Sequence, residues 1–415
     1  MKLLKRISIV LFVLVLWTAF VGFGFIDGFL LRPLNKLDSP EGFIEAAQEK
    51  VQESSVGNLA MTLIEDGQVV ETFFKSADKT VDQNTVFPVA SISKWVTSYG
   101  VMKLVEDGRL DLDKPVDQYL SRWHLPKSEF DNSLVTVRRL LSHSAGLIDE
   151  LGYSGFPPGQ EIQTLEESLT RAADTDYSDG VAIVGYQPGS QYRYSGAGYT
   201  ILQLLIEEIS GQSFETYMKE EVLEPLGMLN STFAFGATPR TQLAQVFQDD
   251  GSTREMNQFT ALAAAGLYTT TGDLSKFLQV QLMDNPVLSK ETIASQSQAE
   301  AFINNIGVYG LGPHLYSQND QNSLIIGHDG SGNNAINTAA RIDLKTGSGV
   351  IVLETGHWNM ASSLADEWMF WKAGIADYVV MQRNKSYLLT LWGVGCVLQI
   401  VLFLILIWTK NPKKR

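Results

Sequence analysis

Phe87-Pro88-Val89-Ala90-Ser91-Ile92-Ser93-Lys94-Trp95-Val96 is the stretch around which the rest of the sequence organises. A short apolar run ends at Ala90, and an apolar helix is predicted over residues 91–105, closed by Gly108. Ser91 and Lys94 stand three apart, so a helix puts both side chains on one face. At the helix start Ser91 also meets free backbone N–H groups and the positive end of the helix dipole. A partly desolvated lysine at that spacing can lose its proton and accept one from the hydroxyl, which makes a serine nucleophilic without histidine. Taken alone the pattern is weak, because chance and cap serines account for most single occurrences. A second match, Ser76-Ala77-Asp78-Lys79, is polar, follows a predicted strand and opens no apolar helix. The apolar lead-in and apolar helix single out Ser91.

Two further segments carry candidate chemistry. Tyr192-Arg193-Tyr194-Ser195-Gly196-Ala197-Gly198-Tyr199 leads into a helix predicted over residues 199–209, with Gly211 as its stop. A glycine-broken turn ahead of a helix can present the Tyr194 phenol to a neighbouring ammonium. That contact lowers a tyrosine pKa and makes a proton shuttle; the other reading is a structural aromatic at a helix start. His328-Asp329-Gly330-Ser331-Gly332 is the third segment. Small residues on a strand let a substrate carbonyl approach backbone N–H groups, as an oxyanion hole requires. His328 can donate a hydrogen bond into such a site and titrates near neutrality. His124, His143, His314, His328 and His357 show no metal-ligand spacing, so neither a metal nor another cofactor is expected.

Outward from these segments, residues 40–52 read as a short helix. Residues 59–64 and 68–74 read as strands joined by a hairpin at Glu65-Asp66-Gly67. From about 110 to 260 the pattern reads as mostly helical, with loops rich in Gly, Ser, Asp and Pro. A second hairpin joins residues 339–344 to 350–353 across Lys345-Thr346-Gly347, and residues 359–372 read as a last amphipathic helix near the membrane. Strands at both ends with helices between them predict an α/β fold of the α+β type: an antiparallel sheet flanked by helices, with an inserted all-helical region.

Two apolar runs set the expected topology. Residues 7–26 and 387–408 contain no charge, and each is long enough to cross the hydrocarbon of a bilayer. Lys2, Lys5 and Arg6 precede the first run; Lys410, Lys413, Lys414 and Arg415 follow the second. Basic flanks stay cytoplasmic, so the expected arrangement is an uncleaved N-terminal anchor (1–27), a domain outside the cytoplasm (41–375) and a C-terminal transmembrane helix (387–408), with both termini inside. Bulky Phe20, Phe23 and Phe25 at the end of the first run argue against a cleaved signal peptide. The formal net charge is −14 and no basic block stands outside the two ends, which excludes nucleic acid as an expected partner. The single cysteine, Cys396, allows no internal disulfide.

The three segments together resemble the class C β-lactamase, D,D-peptidase and esterase family, in which S-x-x-K, Y-x-N and K-T-G or H-x-G follow in this order. The resemblance covers roughly residues 41–375. Leu140-Leu141-Ser142-His143-Ser144-Ala145-Gly146-Leu147, Glu224-Pro225-Leu226-Gly227-Met228, Ala265-Gly266-Leu267-Tyr268 and Tyr309-Gly310-Leu311-Gly312 are similar to further family segments, in the same order. It implies that Ser91 is the nucleophile and that Lys94 and Tyr194 are its proton-transfer pair. His328, Gly330 and Ser331 would form the oxyanion and substrate side, the oxyanion lying between the backbone N–H groups of Ser91 and Ser331. Peptide and ester small molecules are the implied substrates and a lipid bilayer the implied partner. A catalytically silent domain binding a cell-envelope peptide or a membrane partner is the alternative. The sequence departs from the pattern at Gly196, where the family usually has asparagine, and at Asp329, which adds a negative charge expected to disfavour a substrate carboxylate. His143 is expected to be structural, because no G-x-S-x-G elbow accompanies it.

Overall fold

A computed structural model of the chain describes residues 2–409, apart from 149–152, 176–178, 235, 238–241 and 318–321. The helices in chain order are α1 (Lys2–Asp27), α2 (Pro40–Ser54), α3 (Ile92–Glu106), α4 (Val137–Leu141), α5 (Leu165–Arg171), α6 (Gly196–Ser210), α7 (Phe214–Met218), α8 (Leu262–Ala265), α9 (Thr271–Gln279), α10 (Lys290–Gln296), α11 (Met360–Ala373) and α12 (Tyr378–Thr409). The strands are β1 (Leu59–Glu65), β2 (Gln68–Lys75), β3 (Phe87–Pro88), β4 (Val246–Phe247), β5 (Thr253–Arg254), β6 (Tyr268–Thr269), β7 (Ala301–Ile303), β8 (Ile306–Tyr309), β9 (His314–Leu315), β10 (Ile325–Gly332), β11 (Ile336–Asp343) and β12 (Gly349–Thr355). They form two compact units, residues 39–365 and residues 1–38 with 366–415.

The larger unit is built on an eight-stranded sheet in the order β2-β1-β12-β11-β10-β9-β8-β7. Its pairings are antiparallel, and β1, from the start of the unit, lies against β12 at its end, with Leu59 opposite Glu354. The β1–β2 hairpin turns where expected: Asp66 and Gly67 both take positive φ, at 47° and 71°, as a two-residue turn between twisted strands requires. Lys345-Thr346-Gly347 is likewise the turn between β11 and β12. β11 and β12 are buried along their whole length, so both faces of the sheet are covered there.

Against this sheet lies α3, which is buried nearly all round. Trp95, Tyr99 and Phe277 of α9 pack edge to face and tilted in the core, with ring centroids 4.9 and 5.0 Å from Phe277. A helix apolar on every side belongs in the middle of a domain, between a sheet and other helices. Here those helices are α6 and α8.

The region between 110 and 260 departs from expectation. Its described helices are short except α6, and β4 pairs with β5, so the insertion is not all-helical. Side chains satisfy the irregular backbone instead: Arg139 donates to the Leu134 carbonyl and Asn132 to those of Leu125 and Pro126. Such local bonds compete with helix formation, which is why a Ser-, Asp- and Asn-rich stretch reads as more helical than it folds.

In the smaller unit α1 and α12 run side by side, and both are long and apolar enough to cross a membrane. Trp17 donates to the Trp392 carbonyl at 3.0 Å, and the Trp392 indole donates to Thr18 Oγ1 at 3.0 Å. Gly395 makes the approach feasible, because a Cβ there would come within 2.3 Å of the Trp17 ring. α12 begins at Tyr378, earlier than the apolar run itself, and Arg383 in that extension pairs with the buried Glu367. The basic tail at 410–415 lies outside the described residues.

Candidate active site

Ser91 caps α3 without using its side chain: its φ and ψ are −70° and −8°, and its hydroxyl makes no cap bond. The residue before it, Ala90, is held at a φ of 44°, a strained conformation for a residue with a Cβ. Ser93 stabilises this turn by donating to the Ala90 carbonyl and accepting from the Leu267 N–H at 2.9 Å. The Ser91 hydroxyl is thereby left for chemistry.

Lys94 is 1% exposed, and its Nζ lies 3.2 Å from Ser91 Oγ and 2.7 Å from the Ala264 carbonyl oxygen. The third predicted group, Tyr194, is brought to the same place by α6, whose start is fixed by Ser195 accepting from the Gly198 N–H. The contact differs from the expected one. Lys94 Nζ sits over the Tyr194 ring, 4.8 Å from its centroid, and makes no hydrogen bond to the phenol oxygen. Burial therefore dominates and holds the Tyr194 phenol well above its usual range, although the nearby Ser91 hydroxyl pulls the other way. The phenol oxygen itself is buried and makes no hydrogen bond of good geometry among the described residues. The expectation of a lowered tyrosine pKa is corrected.

β10 supplies the opposite wall. Gly330 faces α3 so closely that a Cβ would lie 2.2 Å from the Val89 carbonyl oxygen and 3.1 Å from the Ser91 nitrogen. Thr338 of β11, directly opposite Gly330, donates to that same Val89 carbonyl at 2.9 Å and ties the sheet to the turn before Ser91. Ser331 is exposed and lines a narrow cleft of about 50 Å³ with Ser91, Lys94, Tyr153 and Asn257.

His328 does not line that cleft. It is 1% exposed, its Nε2 lies 3.0 Å from the Tyr309 hydroxyl and its Nδ1 2.6 Å from the Asp329 carbonyl oxygen. A carbonyl can only accept, so Nδ1 carries the proton and Nε2 accepts from Tyr309. Burial, then the neighbouring His314 and Lys94, push its pKa well below 6.5, so it is neutral and does not titrate near neutrality as expected. Asp329 points away on the other strand face, paired with Arg341 at 2.8 Å. Its charge is spent on that buried guanidinium, which corrects the expectation that it repels a substrate carboxylate. Gly196 is the first residue of α6 and is buried beside this site.

His143, expected to be structural, packs its ring behind Ser91 together with Tyr309 and His314, which the sequence did not single out. His143 lies 4.2 Å from the Tyr194 ring and 4.7 Å from Tyr309, and its Nδ1 accepts from the Ser195 N–H at 3.1 Å. It fixes the start of α6 and thus Tyr194. The quoted Tyr309-Gly310-Leu311-Gly312 segment carried a usable signal: a Cβ on Gly312, whose φ is 124°, would meet Ser98 Oγ at 2.2 Å. The second S-x-x-K is a loop in which Ser76 Oγ accepts from the Val81 N–H. Among the described residues no three His, Cys, Asp or Glu side chains gather as a metal site needs.

A family model described as Beta-lactamase matches residues 43–367. The chain belongs to the β-lactamase family. Among solved structures, the octameric penicillin-binding protein homologue from Pyrococcus abyssi is 28% identical with a TM-score of 0.68, covering 81% of this chain and 78% of that one. Protein flp of Staphylococcus aureus strain MW2 is 23% identical over 333 residues, 76% of this chain and 63% of that protein. Esterase EstB of Burkholderia gladioli is 29% identical over 170 residues, 38% of this chain and 41% of the esterase. The chain thus spans less than two thirds of the length of the curated relatives it matches.

Proposed function

We propose that this family member is a membrane-anchored hydrolase that acylates Ser91 with peptide carbonyls of the D-amino-acid type or with ester carbonyls, and then releases the acyl group to water. The 3.2 Å approach of Lys94 Nζ to Ser91 Oγ, inside a buried setting, carries the reading. A neutral lysine amine has two N–H donors and one lone pair. Donating to the Ala264 carbonyl still leaves the lone pair for the Ser91 proton. Ser91 Oγ then attacks the carbonyl carbon while the developing oxyanion is held by the backbone N–H groups of Ser91 and Ser331. Tyr194, kept protonated by burial, donates its proton to the departing nitrogen or oxygen and is reprotonated from Lys94. Water reverses the sequence on the acyl-enzyme. The esterase among the relatives supports an ester carbonyl as one of these two kinds of substrate. Gly196 lacks the amide of the family asparagine, so β-lactam turnover is weak at most.

Two spans with both termini cytoplasmic place residues 41–375 outside the cytoplasm, by the positive charges at 2–6 and 410–415. Fluorophosphonate labelling tests the chemistry: Ser91→Ala abolishes it and Ser76→Ala leaves it intact. Persistent labelling of the Ser91 variant removes the assignment. Protease added to spheroplasts should digest the catalytic domain and spare a tag fused after Arg415; a protected domain reverses the topology.

A further inference from the structure

Next to the cleft at Ser91 lies a second cavity of about 390 Å³, a size that accommodates a small organic ligand. The two share the wall formed by the β4–β5 hairpin and Tyr268, including Val246, Arg254 and Met256. Leu243, Val246 and Met256 make its lining apolar, and Lys79 and Arg254 bring positive charge to it. Arg254 stands at the junction of both cavities. Its backbone is fixed, opposite Val246 in the strand pair, with its carbonyl accepting from Gln245 Nε2 at 3.1 Å. Arg254 is half-buried as a residue, and among the described residues no hydrogen bond or ion pair occupies its guanidinium. Arg138 and Arg341 of the same unit do have carboxylate partners, Asp113 and Glu300 for the first and Asp329 for the second. Glu255 also touches both cavities, but its side chain is exposed and makes no pair with Arg254.

We infer that this cavity is a substrate subsite for an apolar segment ending in a carboxylate, with Arg254 as the residue that selects it. This rests on the hydrolase reading above and names the substrate class of that site. A planar guanidinium beside an apolar slot takes a carboxylate through paired N–H donors, and a partly desolvated wall strengthens the contact. The narrow cleft admits the carbonyl that Ser91 attacks, and the larger cavity receives the chain that follows it.

Full-length protein in detergent should be assayed with 4-nitrophenyl esters of matched chain length, neutral alkanoyl against ω-carboxyalkanoyl, over a series of lengths. The expected result is a preference for the ω-carboxy member at one chain length. Arg254→Met should reduce the ratio of the two kcat/KM values about tenfold or more, the effect of one charge-assisted hydrogen bond. Arg254→Lys should restore part of it, and Arg254→Glu should shift preference to ω-ammonium esters. A merely structural arginine lowers both rates together and leaves the ratio unchanged, which overturns the inference. Calorimetric binding of monoethyl adipate to Ser91→Ala and to Ser91→Ala/Arg254→Met separates the two readings. Arg254-dependent binding without turnover in the wild type defeats the hydrolase and keeps the subsite. Turnover of both esters with a ratio that ignores residue 254 defeats the subsite alone.

Discussion

At the scale of single residues, the division of labour proposed for Lys94 and Tyr194 has a direct kinetic consequence. Lys94 touches Ser91 Oγ, whereas Tyr194 presents a buried, protonated phenol that makes no hydrogen bond of good geometry among the described residues. A donor to the leaving group matters in proportion to how poorly that group leaves. Tyr194→Phe should therefore slow acylation by amides about a hundredfold and by 4-nitrophenyl esters far less; Lys94→Ala should slow both. Stopped-flow acylation rates with the two substrate types check this, and equal losses for Tyr194→Phe would place the phenol elsewhere in the mechanism. Ser91 and Lys94 were legible because their spacing and apolar helix are local. The neutral state of His328 and the pairing of Asp329 with Arg341 were not, because they depend on which strands lie side by side and which way each side chain faces. Arg254 was invisible for the same reason: one arginine in a loop-rich region gains meaning only from the cavities it joins.

Among the elements, β10 is the one whose geometry the site can least spare. A Cβ on Gly330 would sit 2.2 Å from the Val89 carbonyl oxygen and 2.4 Å from Thr338 Oγ1, with backbone and sheet on either side and no flexible group to yield. Gly330→Ala should cost about 1–3 kcal/mol of stability, the range for overpacking, and displace the turn that carries Ser91. Thermal unfolding and fluorophosphonate labelling should fall together; a variant with unaltered Tm and labelling would show that the strand can move away. The two hairpins were readable from Asp66-Gly67 and Lys345-Thr346-Gly347, since turn chemistry is set by the turn residues themselves. β7, β8 and β9 were not, because two to four residues are too few to display an alternation.

On the scale of the whole molecule, the sheet is closed by bringing β1 beside β12, and that junction contains a titratable group. Glu354, opposite Leu59, is fully buried, and its pKa is pushed up from 4.5 to about 8 by burial, with Ser55 and Lys75 pulling the other way. The folded state holds this proton more tightly than the unfolded chain. Its contribution is thus complete below pH 4.5 and drains away as pH rises towards 8. The loss is on the order of a few kcal/mol after allowance for relaxation. Denaturant midpoints at pH 5 and pH 8 should show a decline in the wild type that Glu354→Gln flattens; equal declines would assign the pH dependence to other groups. The α+β plan, the sheet made from both ends of the domain and the two apolar helices were all legible at this scale, because hydrophobic patterning survives long averages. The irregular middle was misread as helical because its side chains bond to its own backbone. The central claim is that a carbonyl substrate becomes covalently attached to Ser91. Rapid-quench mass spectrometry of the full-length protein with a slowly hydrolysed ester, followed by fragmentation of the peptide spanning residues 80–94, tests it most directly. The account predicts one acyl group per chain, on Ser91 and not on Ser93, that disappears as product accumulates. An acyl group on any other residue, or product formation with no acyl-enzyme at any time, would contradict it.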